Sequence, residues 1–268
     1  MTVSMDAQLA KIQSRLEAKT ANKNKHELEN RNIGDNTVTK SHSLSRAYYR
    51  FSIGEKRVME ALISRLHPMR SDNELQDIEI TAVDYAKAYS LDSSNSYSEL
   101  SRAVDGLTTK VIQSTRGKYL IKNPLMIEAI YKEHEGRVVC TINPRIVPHL
   151  IGLREQFSSY PLIKAVNFKS SYTWRMYEIL VSWAQPKADT GGVFCGWFTV
   201  SVDELRKMLG VPDSYKHGIF NKRVLEHVTN ELSQKSNITL KLEPKKTSRK
   251  ITSYKITFME NEQHKLPL

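Results

Sequence analysis

A pattern that occurs twice, 120 positions apart, dictates the layout of this chain. In TAVDYAKAYSL and SVDELRKMLGV, Thr81 stands opposite Ser201, Asp84 opposite Glu204, Tyr85 opposite Leu205, Tyr89 opposite Leu209 and Leu91 opposite Val211. Each copy reads as a helix opened by a hydroxyl N-cap with an acid three residues on, the signature of a capping box. The same offset sets Leu100 against Phe220 and Val104 against Val224, so SNSYSELSRAVDGLTTKVI and KHGIFNKRVLEHVTNELSQ form a second matched pair. Two short helices across a tight polar turn are the elements of a helix-turn-helix. Strands follow each pair: VIQST, the Arg116-Gly117-Lys118 turn, MIEAIYKEHE and RVVCTINP in the first copy, NITLKLEP and ITSYKITFM around KKTSRK in the second. The expected fold class is α+β: two tandem winged-helix domains related by an internal pseudo-repeat, at residues 44–152 and 153–260, with a polar appendage at 1–43 and a tail at 261–268.

Two further helices complete the scaffold. Over residues 54–67, Val58, Ala61, Leu62 and Leu66 share one face while Glu55, Lys56, Glu60 and Arg65 take the other, and Pro68 closes the helix. The other spans residues 171–183 around Trp174, Tyr177, Ile179 and Leu180, before a break at Gly191-Gly192. In TAVDYAKAYSL the apolar face is assigned to Val83, Ala86 and Tyr89. Met5, Leu9, Ile12 and Leu16 suggest a small amphipathic helix in the appendage, either a tether or a partner-docking element.

Charge selects the surfaces that act. The chain carries a net charge of +11, which implies a polyanionic partner. Between Lys216 and Lys255 ten basic residues face three acids, a balance of +7. In a winged helix the second helix enters the major groove and the wing approaches the backbone. Base readout is therefore assigned to Asn221, Lys222 and Arg223, since arginine can donate bidentately to guanine and asparagine can pair with adenine. Phosphate contacts fall to Lys216 and to Lys245, Lys246, Arg249 and Lys250 at the hairpin tip. In the first module Lys110, Arg116, Lys118 and Lys122 supply +4 over thirteen residues, and the weakly basic helix offers Ser96 and Arg102, with Ser94, Asn95, Ser98 and Ser101 nearby.

Catalytic alternatives lack their residues. Gly117-Lys118 has neither the earlier glycine nor the following hydroxyl of a P-loop. Tyr48-Tyr49 could suggest a nicking tyrosine, but no His-x-His pair accompanies it, and His134, His149, His217 and His227 are dispersed. Asp72, Glu74, Asp77 and Glu79 read as solubilising rather than as a two-metal site. No enzymatic activity, cofactor or metal is expected. Cys140 and Cys195 make no disulfide framework, no window approaches 18 consecutive apolar residues, and no secretory leader is evident, so a cytoplasmic protein without a membrane partner is expected.

The segments INPRIVPHLIGLREQFSSYPL (142–162), SSYTWRMYEIL (170–180) and FNKRVLEHVTNEL, with the KKTSRK wing and ITSYKITF strand, resemble the iteron-binding plasmid replication initiators, the family that includes the F plasmid initiator. The resemblance covers residues 44–260. It implies a bacterial protein, associated with plasmid DNA, that binds direct repeats at an origin as a monomer through both winged helices and helps open adjacent AT-rich DNA. It also implies a dimer that represses its own gene at an inverted repeat, and host initiator and replicative helicase machinery as partners. By resemblance, 220–223 is the recognition-helix motif, with Asn221 where some relatives carry arginine, and 245–250 the second wing; the first module and 142–150 look like the regions for dimer contact and domain coupling. The principal rival is a dedicated winged-helix transcriptional repressor, which would use an inverted repeat as its main site; a relaxase or nuclease, or a protein-interaction winged helix, are the others.

Overall fold

Thr81 and Ser201 each end a strand and begin a helix. In the computed structural model, which describes residues 31–66, 77–185, 193–248 and 250–261, strand β2 (Asp77–Thr81) runs into α3 (Ala82–Tyr89), and the Thr81 hydroxyl accepts from the Asp84 N–H at 3.0 Å. Strand β8 (Cys195–Ser201) runs into α6 (Val202–Leu209), and Ser201 accepts from Glu204 N–H at 3.1 Å. The Asp84 carboxylate does not close a reciprocal box; it pairs with Arg65 at 2.8 Å. Both helices stop on a left-handed residue, Ser90 at φ 51° and Gly210 at φ 67°. Glycine is required at the second position, because a Cβ there would lie 2.6 Å from the Tyr49 carbonyl oxygen.

The second helix of each pair is α4 (Ser96–Thr108) in the first module. In the second it is a composite: α7 (His217–Phe220), a π turn at Asn221–Leu225, and α8 (Glu226–Ser236). Leu100 and Phe220 are both fully buried, as the 120-residue offset requires. Beyond them the buried positions are Ala103, Val104 and Leu107 in one helix, Val224, Leu225 and Val228 in the other. The second copy therefore holds one extra residue, which the wider π turn absorbs.

Strands β5 (Met126–Lys132) and β6 (Arg137–Ile142) join β2 in an antiparallel sheet of order β2-β6-β5. Strands β9 (Ile238–Thr247) and β10 (Lys250–Glu260) join β8 in the matching order β8-β10-β9. The chain is thus two winged helices of α+β type. The first carries an additional two-stranded hairpin, β3 (Val111–Arg116) with β4 (Tyr119–Pro124), which has no equivalent in the second. By topology the first wing is β5–β6, turning through Glu133–Glu135 and Gly136, whereas Arg116, Lys118 and Lys122 belong to the extra hairpin and Lys110 immediately precedes it.

Strand β1 (Thr37–Ser41) pairs antiparallel with β7 (Phe157–Pro161), Val38 opposite Tyr160. Ile33 and Val38 are fully buried, so the appendage expected over residues 1–43 is packed core from residue 33 onward, and the strand pair crosses the boundary expected at 152/153. The short helix α1 (His42–Ser45) leads on to α2 (Ile53–Ser64), whose Ser52–Glu55 capping box is complete. Its charged side is not solvated as expected. Lys56 and Glu60 are fully buried, facing Lys40 of β1 and Glu178 of α5 (Ser171–Trp183). Lys56 Nζ bonds Glu60 at 2.6 Å and Glu178 at 2.7 Å, Lys40 bonds both carboxylates, and Arg175 donates to Glu178 at 2.8 Å. Tyr160 Oη donates to Glu60 at 3.0 Å.

Of the apolar face assigned to α3, Ala86 and Tyr89 are buried as expected, but Val83 is 72% exposed, and Ala82 and Tyr85 complete the inward face. The repeat itself carries the correct phase, since Val83 falls opposite the acid Asp203. Pro68, Asp72, Glu74, Gly191-Gly192, the possible helix at Met5 to Leu16, and residues 262–268 lie outside the described residues. Among the described residues no helix is long and apolar enough to cross a membrane.

Candidate nucleic-acid interface

The two ends of the second module converge on one charged surface. Phe220 anchors the composite helix in the core, and Val224 and Leu225 re-enter it at the end of the π turn, which leaves Lys222 and Arg223 on the outside. Lys216, the residue before α7, is exposed as well. On the wing, Lys245, Lys246 and Lys250 are exposed, with Lys246 opposite Ile251, Lys245 opposite Ser253 and Lys250 opposite Thr247. The register slips between Ile251 and Ser253, and Ser248 turns the tip at φ 56°. Such an irregularity increases local twist and re-aims side chains. Among the described residues none of Lys222, Arg223, Lys245, Lys246 and Lys250 has a carboxylate partner within 4 Å, whereas Lys241 lower on the wing is paired with Glu243 at 2.8 Å. Arg249 lies outside the described residues.

Asn221 behaves differently from its two neighbours. Its Oδ1 accepts from the Tyr254 hydroxyl at 3.0 Å, and its Nδ2 lies 3.3 Å from His217 Nε2. The bidentate adenine contact expected of it would need the same two groups, so the structure ties down a residue that the sequence presents as a free reader. Tyr254 is 4% exposed and was not singled out by its sequence. Its signal was present, however: alternation along ITSYKITFM turns Tyr254, Ile256 and Phe258 inward, and a buried tyrosine hydroxyl demands a partner.

In the first module the expected readers separate. Ser96 is buried, its hydroxyl donating to Ser93 O at 2.9 Å, which removes it from any surface. Its position as first residue of α4 accounts for this, since the hydroxyl turns back on the preceding turn. Arg102 is exposed at the rim of an open cleft with Tyr97, Asp105, Tyr131 and Glu133, and Tyr131 Oη donates to Asp105 at 2.5 Å. Lys110 is drawn 3.2 Å from Glu55, the acid of the α2 capping box. Lys118 projects at the tip of the extra hairpin, its ammonium 5.6 Å from the Tyr119 ring centre, and the side chain of Arg116 lies outside the described residues. The first module therefore offers a surface of mixed charge, the second a basic one.

The tyrosine pair offers no nicking geometry. Tyr49 is buried with its hydroxyl 2.5 Å from Arg175 and 3.4 Å from Glu178, and burial holds that phenol well above its ordinary pKa. Tyr48 is half-buried, its backbone bridged to Gln113, and burial raises its phenol too.

Comparison with known proteins agrees with this anatomy. The family described as "Initiator Replication protein, WH1" matches residues 37–181, and "Initiator Rep protein, WH2" matches residues 201–258. The first match begins at β1 and runs through α5, the extent over which the strand pair and the buried ion cluster form one body. Among solved structures, the Pi initiator protein in complex with iteron DNA superposes with a TM-score of 0.67 at 20% identity, covering 86% of this chain and 99% of that one. The WH1 domain of the replication protein MSBI1.176, isolated from a multiple sclerosis patient, gives a TM-score of 0.27 at 17% identity over 35% of this chain and 72% of that one. The two family matches together take in both winged helices, and the chain belongs to the initiator replication proteins built from a WH1 and a WH2 domain.

Proposed function

We propose that this initiator binds direct repeats, iterons, at a plasmid replication origin as a monomer, with both winged helices on one face of the duplex. The observation that carries the reading is the set of exposed cations on the composite helix and the wing of the second module that, among the described residues, have no carboxylate oxygen within 4 Å. Unneutralised charge on the two elements that a winged helix lays against DNA calls for phosphates outside the molecule. The iteron DNA held by the similarly folded Pi initiator makes an origin repeat the natural target.

In this reading Lys222 and Arg223 face base edges while Lys216, Lys245, Lys246, Arg249 and Lys250 hold the backbone. Arg102 and Lys118 supply the first module's contacts. Opening of adjacent AT-rich DNA is driven by binding and bending, with no chemistry on DNA; smooth bending of such a site costs on the order of 1 to 6 kcal/mol. A dimer joined through the first module would present only its two second modules, and so would repress at an inverted repeat. Host initiator and helicase machinery then act on the opened origin in the bacterial cytoplasm.

Competition binding tests the proposal. The chain should prefer a duplex carrying direct repeats from its origin over random DNA by at least a thousandfold at physiological salt, with one protein per direct repeat and two per inverted repeat in sedimentation. Binding confined to inverted repeats, or covalent phosphotyrosine and nicking that vanish in Tyr48→Phe or Tyr49→Phe, would contradict it.

A further inference from the structure

The π turn sits where the composite helix meets DNA in the reading above, and the inference that follows rests on that reading. A π turn breaks the regular i to i−4 bonding of a helix and widens it, so the side chains it displays need support from the side. Asn221 opens the turn, and both ends of its amide are engaged, one by Tyr254 of β10 and one by His217 a turn earlier. Tyr254 pairs with Val200 of β8 and Pro244 of β9 in the sheet register, four positions from Lys250 at the wing tip. Its ring and hydroxyl lie beneath the helix, 4% exposed, out of reach of any duplex laid on the outer surface. Pairing of Asn221 with an adenine would strand a buried tyrosine hydroxyl without a partner.

We infer that Asn221 is a positioning residue rather than a base reader: with Tyr254 it pins the π turn to the wing strand and so fixes the aim of Lys222 and Arg223 relative to Lys245 and Lys246. One buried hydroxyl thereby links base readout to the backbone grip.

The test measures binding of the full chain as wild type, Tyr254→Phe, Asn221→Ala and the double variant. Each meets an origin repeat, repeat derivatives changed at one base pair at a time, and random DNA, with thermal unfolding alongside. Tyr254→Phe keeps its ring and should unfold as wild type does and bind random DNA unchanged. It should lose about 3- to 10-fold on the repeat, because Arg223 keeps only part of its base contact once its aim is loosened. Asn221→Ala should lose at least as much, the double variant no more than Asn221→Ala alone, and the weakened discrimination should fall at base pairs that Arg223→Ala also affects. Wild-type repeat affinity in Tyr254→Phe, combined with an Asn221→Ala defect confined to a base pair of its own, would overturn the inference. Equal loss on repeat and random DNA would also overturn it. A wild-type chain that fails to distinguish repeat from random DNA would instead overturn the DNA-reading role of the helix, and the inference with it.

Discussion

Arg223 and Lys246 are both exposed cations of the second module, and the proposed function gives them different work. Arg223→Ala should cost about 1 to 3 kcal/mol on the cognate repeat and little on random DNA, as loss of a bidentate base contact does. Lys246→Ala should weaken both DNAs alike and lower the salt slope by roughly one. Equal effects of Arg223→Ala on both DNAs would move it to the phosphate set. Inside the molecule, the carboxylates that pair with Lys40, Lys56 and Arg175 among the described residues are Glu60 and Glu178, an excess of one buried positive charge. Burial lowers the Lys56 pKa from 10.5 to about 8, with Glu178 and Glu60 opposing only in part and Lys40 and Arg175 adding to the fall. Burial also disfavours the charge on Lys40 and on Glu178, but there the opposite charges win, so Lys40 is raised and Glu178 lies well below the usual carboxylate range. Between pH 8 and 10.5 the unfolded chain keeps the Lys56 proton and the folded one has lost it, so this group makes stability rise with pH across that window. Denaturant unfolding of wild type against Lys56→Met should show the rise, at most about 1.4 kcal/mol per pH unit, only in the wild type; parallel profiles would contradict it. Glu178→Ala, which leaves Arg175 without its carboxylate and Glu60 alone to face three buried cations, should cost about 3 to 5 kcal/mol.

At the scale of elements, the strand-to-helix entries were legible because hydroxyl caps and apolar spacing are local signals: Thr81 and Ser201 cap as the sequence implies. Three features were not local and so escaped. The charged side of α2 is buried because Lys40 and Glu178 approach it from 16 and 122 positions away from Lys56, and no window of sequence holds those partners together. The π turn is a one-residue insertion that the apolar pattern tolerates, since Val224 is buried in either register. The extra hairpin β3–β4 drew the first module's cations away from its true wing, a matter of strand order that composition does not encode. Of the candidate site, exposed cations were read from charge clustering, but the burial of Ser96 and the tethering of Asn221 depend on neighbours in space. The end of α6 gives a test at this scale. Gly210→Ala would place a side chain at φ 67° and against the Tyr49 carbonyl, and should lose more than about 1 kcal/mol of stability in denaturant unfolding; an unchanged midpoint would show that the approach of α6 to residue 49 is not tight.

For the whole molecule, the seam between the modules determines how far apart the two helices proposed to face DNA stand. Arg175 of α5 donates to the Met208 carbonyl of α6 at 3.1 Å, and Lys164 meets Glu260 at 2.8 Å. In the proposed complex, modules joined this way would read two groove segments as a unit, which multiplies specificity beyond what one winged helix attains. Successive entries on one face fall about one helical turn apart, giving a repeat of roughly twenty base pairs. Hydroxyl-radical footprinting of the full chain on a single origin repeat tests this most directly, with Arg223→Ala and the pair Arg102→Ala, Lys118→Ala as companions. Two protected segments about one turn apart on the same face are expected, the first variant fading one segment and the paired variant the other. A single short footprint that Arg223→Ala abolishes and the paired variant leaves intact would contradict recognition by both modules.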